Sequence, residues 1–440
     1  MTVRQYTRYL LSIGMALLSM IACSTPATPP SSDPTAPTVA ASERTKTVLV
    51  LWHDWSYPQD RVLSSLIERY NRSSLSAQIV LQAHPVASLT SDLALAITEG
   101  GGPHLAILKS HTIGGLAETG SLLPLDDLLT AADLSQLLPQ ALGSAQVSLA
   151  TTSALYGVPI TFDTLALYYN KANFASAPPT DTITLLAVAR GLTDTRSDPP
   201  TWGMALNLSL DRTIGYLYAF GGRVFDDQHN LVLGLDGRAG AEAWLNWLAG
   251  LHNDERILAS TDGITVDNAL TTREALMTFD WSHALNTYHG LWHENMGVAL
   301  LPRLSDGDRP PQPYVQSDAL VLNTRISGVE RQAAVDFIRY LIDAESQTDL
   351  LRVGCQPTLM RLNIGAAKDI DPQIRAAALI FRAQAEQGQP MPNSRQANDP
   401  VWGVLSDMQA NVLRRLLTPE QAITGADSAL RERLGLPSAP

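Results

Sequence analysis

From Lys46 onward the chain alternates between two hydrophobic patterns. "KTVLVLW" (46–52) is a continuous apolar run that predicts a buried strand, and "DRVLSSLIERYNR" sets Val62, Leu63, Leu66, Ile67 and Tyr70 on one face at helical spacing. "AQIVLQA" predicts a second strand. "SDLALAITEGGGP" reads as a helix capped by Ser91 and broken by Gly100, Gly101 and Gly102, after which "HLAILK" predicts a third strand. Strands alternating with helices imply a parallel sheet with crossovers, and such sheets gather ligands at the carboxyl ends of their strands. "WHDWS" follows the first strand and "KSHTIGGLAETG" follows the third, so both turns are candidate site segments. Further on, "GAEAWLNWLAGLH" and "ERQAAVDFIRYLIDAES" are amphipathic helices, "GVALLP" and "ALVLN" are short strands, and the chain beyond Asp371 is mostly helical. Trp244 and Trp247, three apart on an apolar helix, are expected in a core.

The length, 440 residues, exceeds the ~250–300 at which single cores stop growing, so two lobes are expected. With 45% hydrophobic and 17% charged residues the composition is that of a globular protein, and only the N-terminus approaches the ~20 apolar residues of a membrane span. That terminus has the parts of an export signal: Arg4 and Arg8, then "YLLSIGMALLSMIA", then Cys23. Ala22-Cys23 in "MIAC" fits a lipoprotein signal over residues 1–22 with Cys23 as the lipidated residue; an ordinary secretion signal or an uncleaved anchor is the competing reading. Residues 23–45, rich in Pro, Ser, Thr and Ala, predict a flexible tether. A diacylglyceryl group supplies the two chains that stable anchoring requires.

The second cysteine, Cys355, is left without a mate, so neither a disulfide nor a thiolate metal cluster is expected. A formal charge of −12 argues against nucleic acid as a partner. The chain has no G-x-S-x-G elbow, HExxH helix or GxxxxGK loop, and its nine histidines show no paired ligand spacing, so no metal or cofactor is predicted. Within "YGVPITFDTLALYYNKANF" stands Asp163, the one residue of formal charge between Asp133 and Lys171. An isolated carboxylate in so apolar a stretch calls for a specific use.

Four segments carry a resemblance. "GGPHLAILKSHTIGGLAETGSLLPLDDLL", "YGVPITFDTLALYYNKANF", "EALMTFDWSHAL" and "QGQPMPNSRQANDPVW", in that order behind a lipoprotein-type signal, resemble the family 1 extracellular solute-binding proteins of ATP-driven (ABC) importers, particularly the maltose and maltodextrin type. The resemblance implies a two-lobed α/β fold of the periplasmic-binding-protein kind, with several interlobe chain crossings and a central ligand cleft. It implies an N-terminal lobe of residues 46–161 plus about 301–356, and a C-terminal lobe of about 162–300 plus 357–440.

It further implies a monomeric binding protein, not an enzyme. The protein would capture a carbohydrate such as maltose or maltodextrin and deliver it to an ABC permease at the outer face of the membrane. Asp163 matches a carboxylate that faces the ligand there, a role suited to an ionised group that only accepts hydrogen bonds, against the alternatives of capping a turn or pairing with a distant arginine. Trp281 and Trp402 match positions that stack on sugar rings, with ordinary core packing as the alternative. Asp54 and Trp55 match polar contacts after the first strand.

The chain departs from the maltodextrin pattern at Leu108, His111 and Thr112, which replace a tryptophan and an Asp-Arg pair and leave His111 as the candidate contact. His104 stands where an aspartate is usual. Asp211 or Tyr216 takes over a carboxylate or aromatic contact in the 207–222 loop. The competing readings are a binder of a non-sugar solute (a glycerophosphodiester, a polyamine or an anion), a secreted glycosidase using two carboxylates such as Asp54 and Asp163, and a docking lipoprotein.

Overall fold

The first three strands form where the apolar runs put them: β1 (Thr47–His53), β2 (Ala77–Ala83) and β3 (Leu105–Lys109), with β1 parallel to both neighbours. β1 alternates instead of being buried throughout, because helices cover one face more fully. Leu49 and Leu51 are buried while Val48 is exposed. The intervening helix Gln59–Ser73 buries Leu63, Leu66, Ile67 and Tyr70, the stripe its spacing predicts. The next helix, Leu89–Thr98, starts earlier than expected: Ser88 precedes it, and Ser91 lies inside the first turn with its hydroxyl on the Ser88 carbonyl.

This computed structural model describes residues 46–149, 153–226, 230–304 and 309–437, so the predicted signal, Cys23 and the tether lie outside the described residues. The first sheet is completed from far along the chain. β4 (Gly157–Asp163) runs directly into β5 (Leu165–Asn170), which pairs antiparallel with β6 (Met277–Trp281) and β7 (Met296–Ala299) in a second, three-stranded sheet. The chain then returns as β8 (Tyr314–Leu322), which inserts between β3 and β4 antiparallel to both, giving the order β4-β8-β3-β1-β2 with Gln356–Pro357 beyond β4. The wholly parallel sheet expected from the βα alternation is therefore mixed. β8 enters from the end of the sheet at which β4 leaves it, and that fixes its direction.

Each sheet has its own core. Leu49, Leu51, Ile107, Val158, Leu320 and Phe337 belong to the first, while Leu167, Tyr216, Trp244, Met277 and Phe279 belong to the second. A third cluster, with Tyr168, Trp292 and Phe381, covers the other face of the three-stranded sheet. Leu301 and Tyr314 still pack in the second core, whereas Ala319 to Leu322 pack in the first, so the returning chain changes cores within β8. All seven residues of β4 are buried, as a strand leading from one core to the next requires. Cys355 is free and packs beside the first core, and burial pushes its thiol pKa up to about 12.

Trp244 is fully buried and its indole Nε1–H donates to the Thr213 carbonyl at 3.1 Å. Trp244→Ala removes that packing and the indole's bond to a carbonyl of the helix Leu210–Ala219; a loss of about 3–5 kcal/mol is expected from the urea midpoint, the range for a large buried aromatic.

Candidate functional site

Because β8 runs against its neighbours, its N-terminal part lies beside the carboxyl ends of β3 and β4. The register sets Asp318 opposite Lys109 and Thr161, and Gln316 opposite Asp163. Asp54 follows β1 at the same edge of the sheet. One row of polar side chains results: Asp54, Lys109, Asp318, Gln316, Asp163. Lys109 Nζ lies 2.7 Å from Asp318 Oδ1, and the Thr161 hydroxyl donates to Asp318 Oδ2 at 3.0 Å. Burial alone would lower the Lys109 pKa, but Asp318, Asp163 and Asp54 outweigh it and raise it. Asp54 shifts upward through burial and the nearby Asp318, with Lys109 opposing.

Asp163 ends the row and is 8% exposed. Its Oδ1 accepts from the Ser282 hydroxyl at 2.5 Å and the His283 backbone N–H at 3.1 Å. Oδ2 lies 2.6 Å from His283 Nδ1 and accepts from Gln316 Nε2 at 3.3 Å. An ionised carboxylate has about four acceptor positions, and four donors fill them. Burial would raise the Asp163 pKa, yet His283, Ser282 and Lys109 hold it down at about 2, and Asp163 in turn raises His283 against the effect of burial. The expected role as an open acceptor thus meets a side chain already satisfied from within. Ser282 and His283 are brought to it because β6 pairs with β5, the strand that continues from Asp163.

The remaining expected residues divide. Trp55 is half-buried against the first core and its indole N–H is buried without a partner; His111 is half-buried, with Nδ1 likewise unpartnered and its pKa lowered by burial and by Lys109. Trp402 is half-buried and packs beside Tyr314, with ring centroids 6.3 Å apart. Trp281, expected to present a stacking face, is instead 4% exposed in the second core. Its Nε1–H donates to Asp211 Oδ2 at 2.9 Å, so Asp211 serves that indole. Tyr216 is buried too, its hydroxyl donating to the Pro302 carbonyl at 3.1 Å. The structure therefore gathers Asp54, Asp163 and the His111 turn at one sheet edge, and moves Trp281 and Tyr216 into a core.

Sequence reasoning missed Lys109, Asp318, Gln316 and His283. The last carries a usable signal, as the first ionisable residue past a buried strand end.

The late loop closes the site from another side. Asn393 Nδ2 donates to the carbonyls of Ser144 and Gln146 at 2.8 and 2.9 Å, and Asn398 Nδ2 donates to the His111 carbonyl. A Cβ on Gly114 would stand 2.0 Å from the Asn393 carbonyl oxygen, so the pair of backbones can meet only because that position is glycine. Alongside, Glu118, Arg395, Gln396, Asp399, Pro400 and Arg433 line an open groove of about 540 Å³. No group of His, Cys, Asp or Glu side chains among the described residues is arranged to hold a metal ion.

Residues 65–359 match the family model described as bacterial extracellular solute-binding protein. A maltotriose-binding protein of Pyrococcus abyssi (strain GE5 / Orsay) is 30% identical over 180 residues, which cover 41% of this chain and 38% of that protein; the match spans well under half of the relative's length. Among solved structures, a maltose/maltodextrin-binding domain from Bdellovibrio bacteriovorus bound to maltotriose superposes with a TM-score of 0.70 at 22% identity, over 88% of this chain and 100% of its own. The Thermus thermophilus maltotriose-binding protein, bound with maltotriose, does so with a TM-score of 0.69 at 22% identity, over 88% and 100%. These superpositions give the fold: two α/β lobes, as in the maltodextrin-binding proteins.

The Asp163–His283 pair makes stability depend on pH from both sides. The carboxylate's contribution is present above its unfolded pKa of 3.8 and is lost as pH falls toward about 2. The imidazolium's contribution is complete below 6.5 and is lost as pH rises through the raised folded value. The pair therefore stabilises most between about pH 4 and about 6.5. Asp163→Asn is expected to flatten both flanks of a plot of urea midpoint against pH; a superimposable curve would show that the pair contributes nothing.

Proposed function

Because the chain belongs to the bacterial extracellular solute-binding proteins, we infer that it captures a carbohydrate, an oligosaccharide of the maltodextrin class, between its lobes and hands it to an ABC importer. The observation that carries this reading is the row Asp54–Lys109–Asp318–Asp163 at the carboxyl edge of the first sheet, closed at one end by His283 and flanked by the half-buried Trp55 and His111. With Asp163 filled from within, the row still sets the Asp54 carboxylate beside the Lys109 ammonium, an acceptor next to a donor, which suits a polyol whose hydroxyls do both. Half-buried indoles at Trp55 and Trp402 supply flat apolar surface for the C–H faces of a sugar ring. The maltotriose named for the Pyrococcus relative and held by two structural neighbours supports the choice of sugar class.

The family is one of binding proteins, and the charge row fits that role without chemistry. Of the carboxylates Asp54 and Asp163 that a glycosidase reading would use, Asp163 is saturated by donors and so is not free to act as the acid or base beside Asp54. Binding draws the lobes together only through contacts made in the closed form, and the permease would read that form. The mature protein is held at the outer face of the membrane through lipid on Cys23, works as a monomer, and comprises lobes of 46–161 with about 301–356 and of about 162–300 with 357–440.

Calorimetric titration with maltotriose is expected to give a dissociation constant near micromolar, about −8 kcal/mol. A larger response to a glycerophosphodiester or to spermidine, or release of glucose from the oligosaccharide, would replace the sugar-binding reading with a different one. Cys23→Ala is expected to move the protein from the membrane fraction into the soluble extracytoplasmic fraction; retention at the membrane would locate the anchor elsewhere.

A further inference from the structure

The Asp163–His283 dyad has a feature that the row as a whole lacks: one of its atoms is left over and faces outward. His283 Nδ1 is held 2.6 Å from Asp163 Oδ2, while its side chain is 62% exposed against 11% for Asp163. With Nδ1 engaged by the buried carboxylate, Nε2 on the other edge of this largely exposed ring has no hydrogen-bond partner among the described residues. The ring lies nearly parallel to the Trp281 indole, 12° between planes and 6.4 Å between centroids, and the backbone N–H of the same residue is tied to Asp163 Oδ1. Three restraints, on the ring nitrogen, the ring plane and the main chain, thus fix where Nε2 points.

We propose that His283 is the residue that contacts the ligand and sets specificity at this end of the cleft, and that Asp163 is its positioning residue instead of a ligand acceptor. The inference rests on the carbohydrate-binding reading and names the group that does the recognition. It reassigns the isolated carboxylate: with all four acceptor positions filled, Asp163 has none to give a sugar hydroxyl, but it dictates which nitrogen of His283 carries a fixed proton. Since the Nδ1 proton stays on the Asp163 side, Nε2 is a charged donor when the ring is protonated and a bare acceptor when it is not. A charge-assisted donor forms the stronger bond to a ligand oxygen, so affinity falls as pH rises.

The charged groups that act on the ring are Asp163 from β4, in contact with it, and Asp280 from β6 and Lys109 from β3 through their fields. Asp280 is paired to Arg212 at 2.6 Å and Lys109 to Asp318 at 2.7 Å. His111, whose pKa is lowered, changes charge on the acid side of 6.5, leaving His283 as the imidazole of this site that titrates above it.

The test is calorimetric titration of maltotriose at about pH 6 and about pH 9 with the unaltered chain, His283→Gln and Asp163→Asn. It is paired with NMR titration of the His283 imidazole in the absence of sugar. The unaltered chain is expected to lose about tenfold in affinity across the interval, the size of effect a charge-assisted bond supplies. His283→Gln should bind weakly with no slope, and Asp163→Asn should shift both the slope and the imidazole midpoint to lower pH. Equal slopes in His283→Gln and the unaltered chain, or an imidazole midpoint that Asp163→Asn does not move, would overturn the proposal. Tight maltotriose binding with no pH dependence would overturn it while leaving the sugar reading intact. If maltotriose bound at no pH, the sugar reading would fall, and the same comparison with whichever solute did bind would decide the role of His283.

Discussion

Everything at the candidate site follows from one pairing constraint, the insertion of β8 antiparallel between β3 and β4. Had that strand run parallel to its neighbours, Asp318 and Gln316 would not share a sheet edge with Lys109 and Asp163. Both backbone ladders must be satisfied because the sheet is covered, and the register they impose is what brings acid against base. The charges then stabilise what the backbone has already arranged. Lys109 with Asp318, and Asp163 with Ser282, His283 and Gln316, are each compensated locally, which is the condition under which buried charge is tolerated.

Local features of this fold were legible in the sequence. The helix Gln59–Ser73 buries the residues its period selects, the three early strands lie where their apolar runs are, and Trp244 is in a core. Long-range features were not. Nothing local in "ALVLN" tells the direction of β8 or reveals that it begins at Tyr314, because strand direction depends on where the chain re-enters from the other lobe.

The site was legible in part for a related reason. β6 is buried on both faces, all five of its residues, so alternation could not separate an inward Trp281 from an outward one. A tryptophan in a sugar-binding pattern reads as a platform, yet here it is packed, hydrogen-bonded to Asp211 and positioned under His283. Asp163 was conspicuous as a lone charge, and the structure places it at the end of the buried strand Gly157–Asp163. Its saturation could not be, since its donors come from residues 282, 283 and 316.

The half-buried Cys355, packed beside the first core, has a chemical consequence for a chain of an extracellular family. With its pKa at about 12, only roughly one molecule in 10⁵ carries the thiolate at neutral pH. Attack on disulfides, peroxides or alkylating electrophiles proceeds through that anion, so its scarcity slows each of these reactions at this sulfur. The packing that completes the first core thereby also restrains the chemistry of the thiol set beside it.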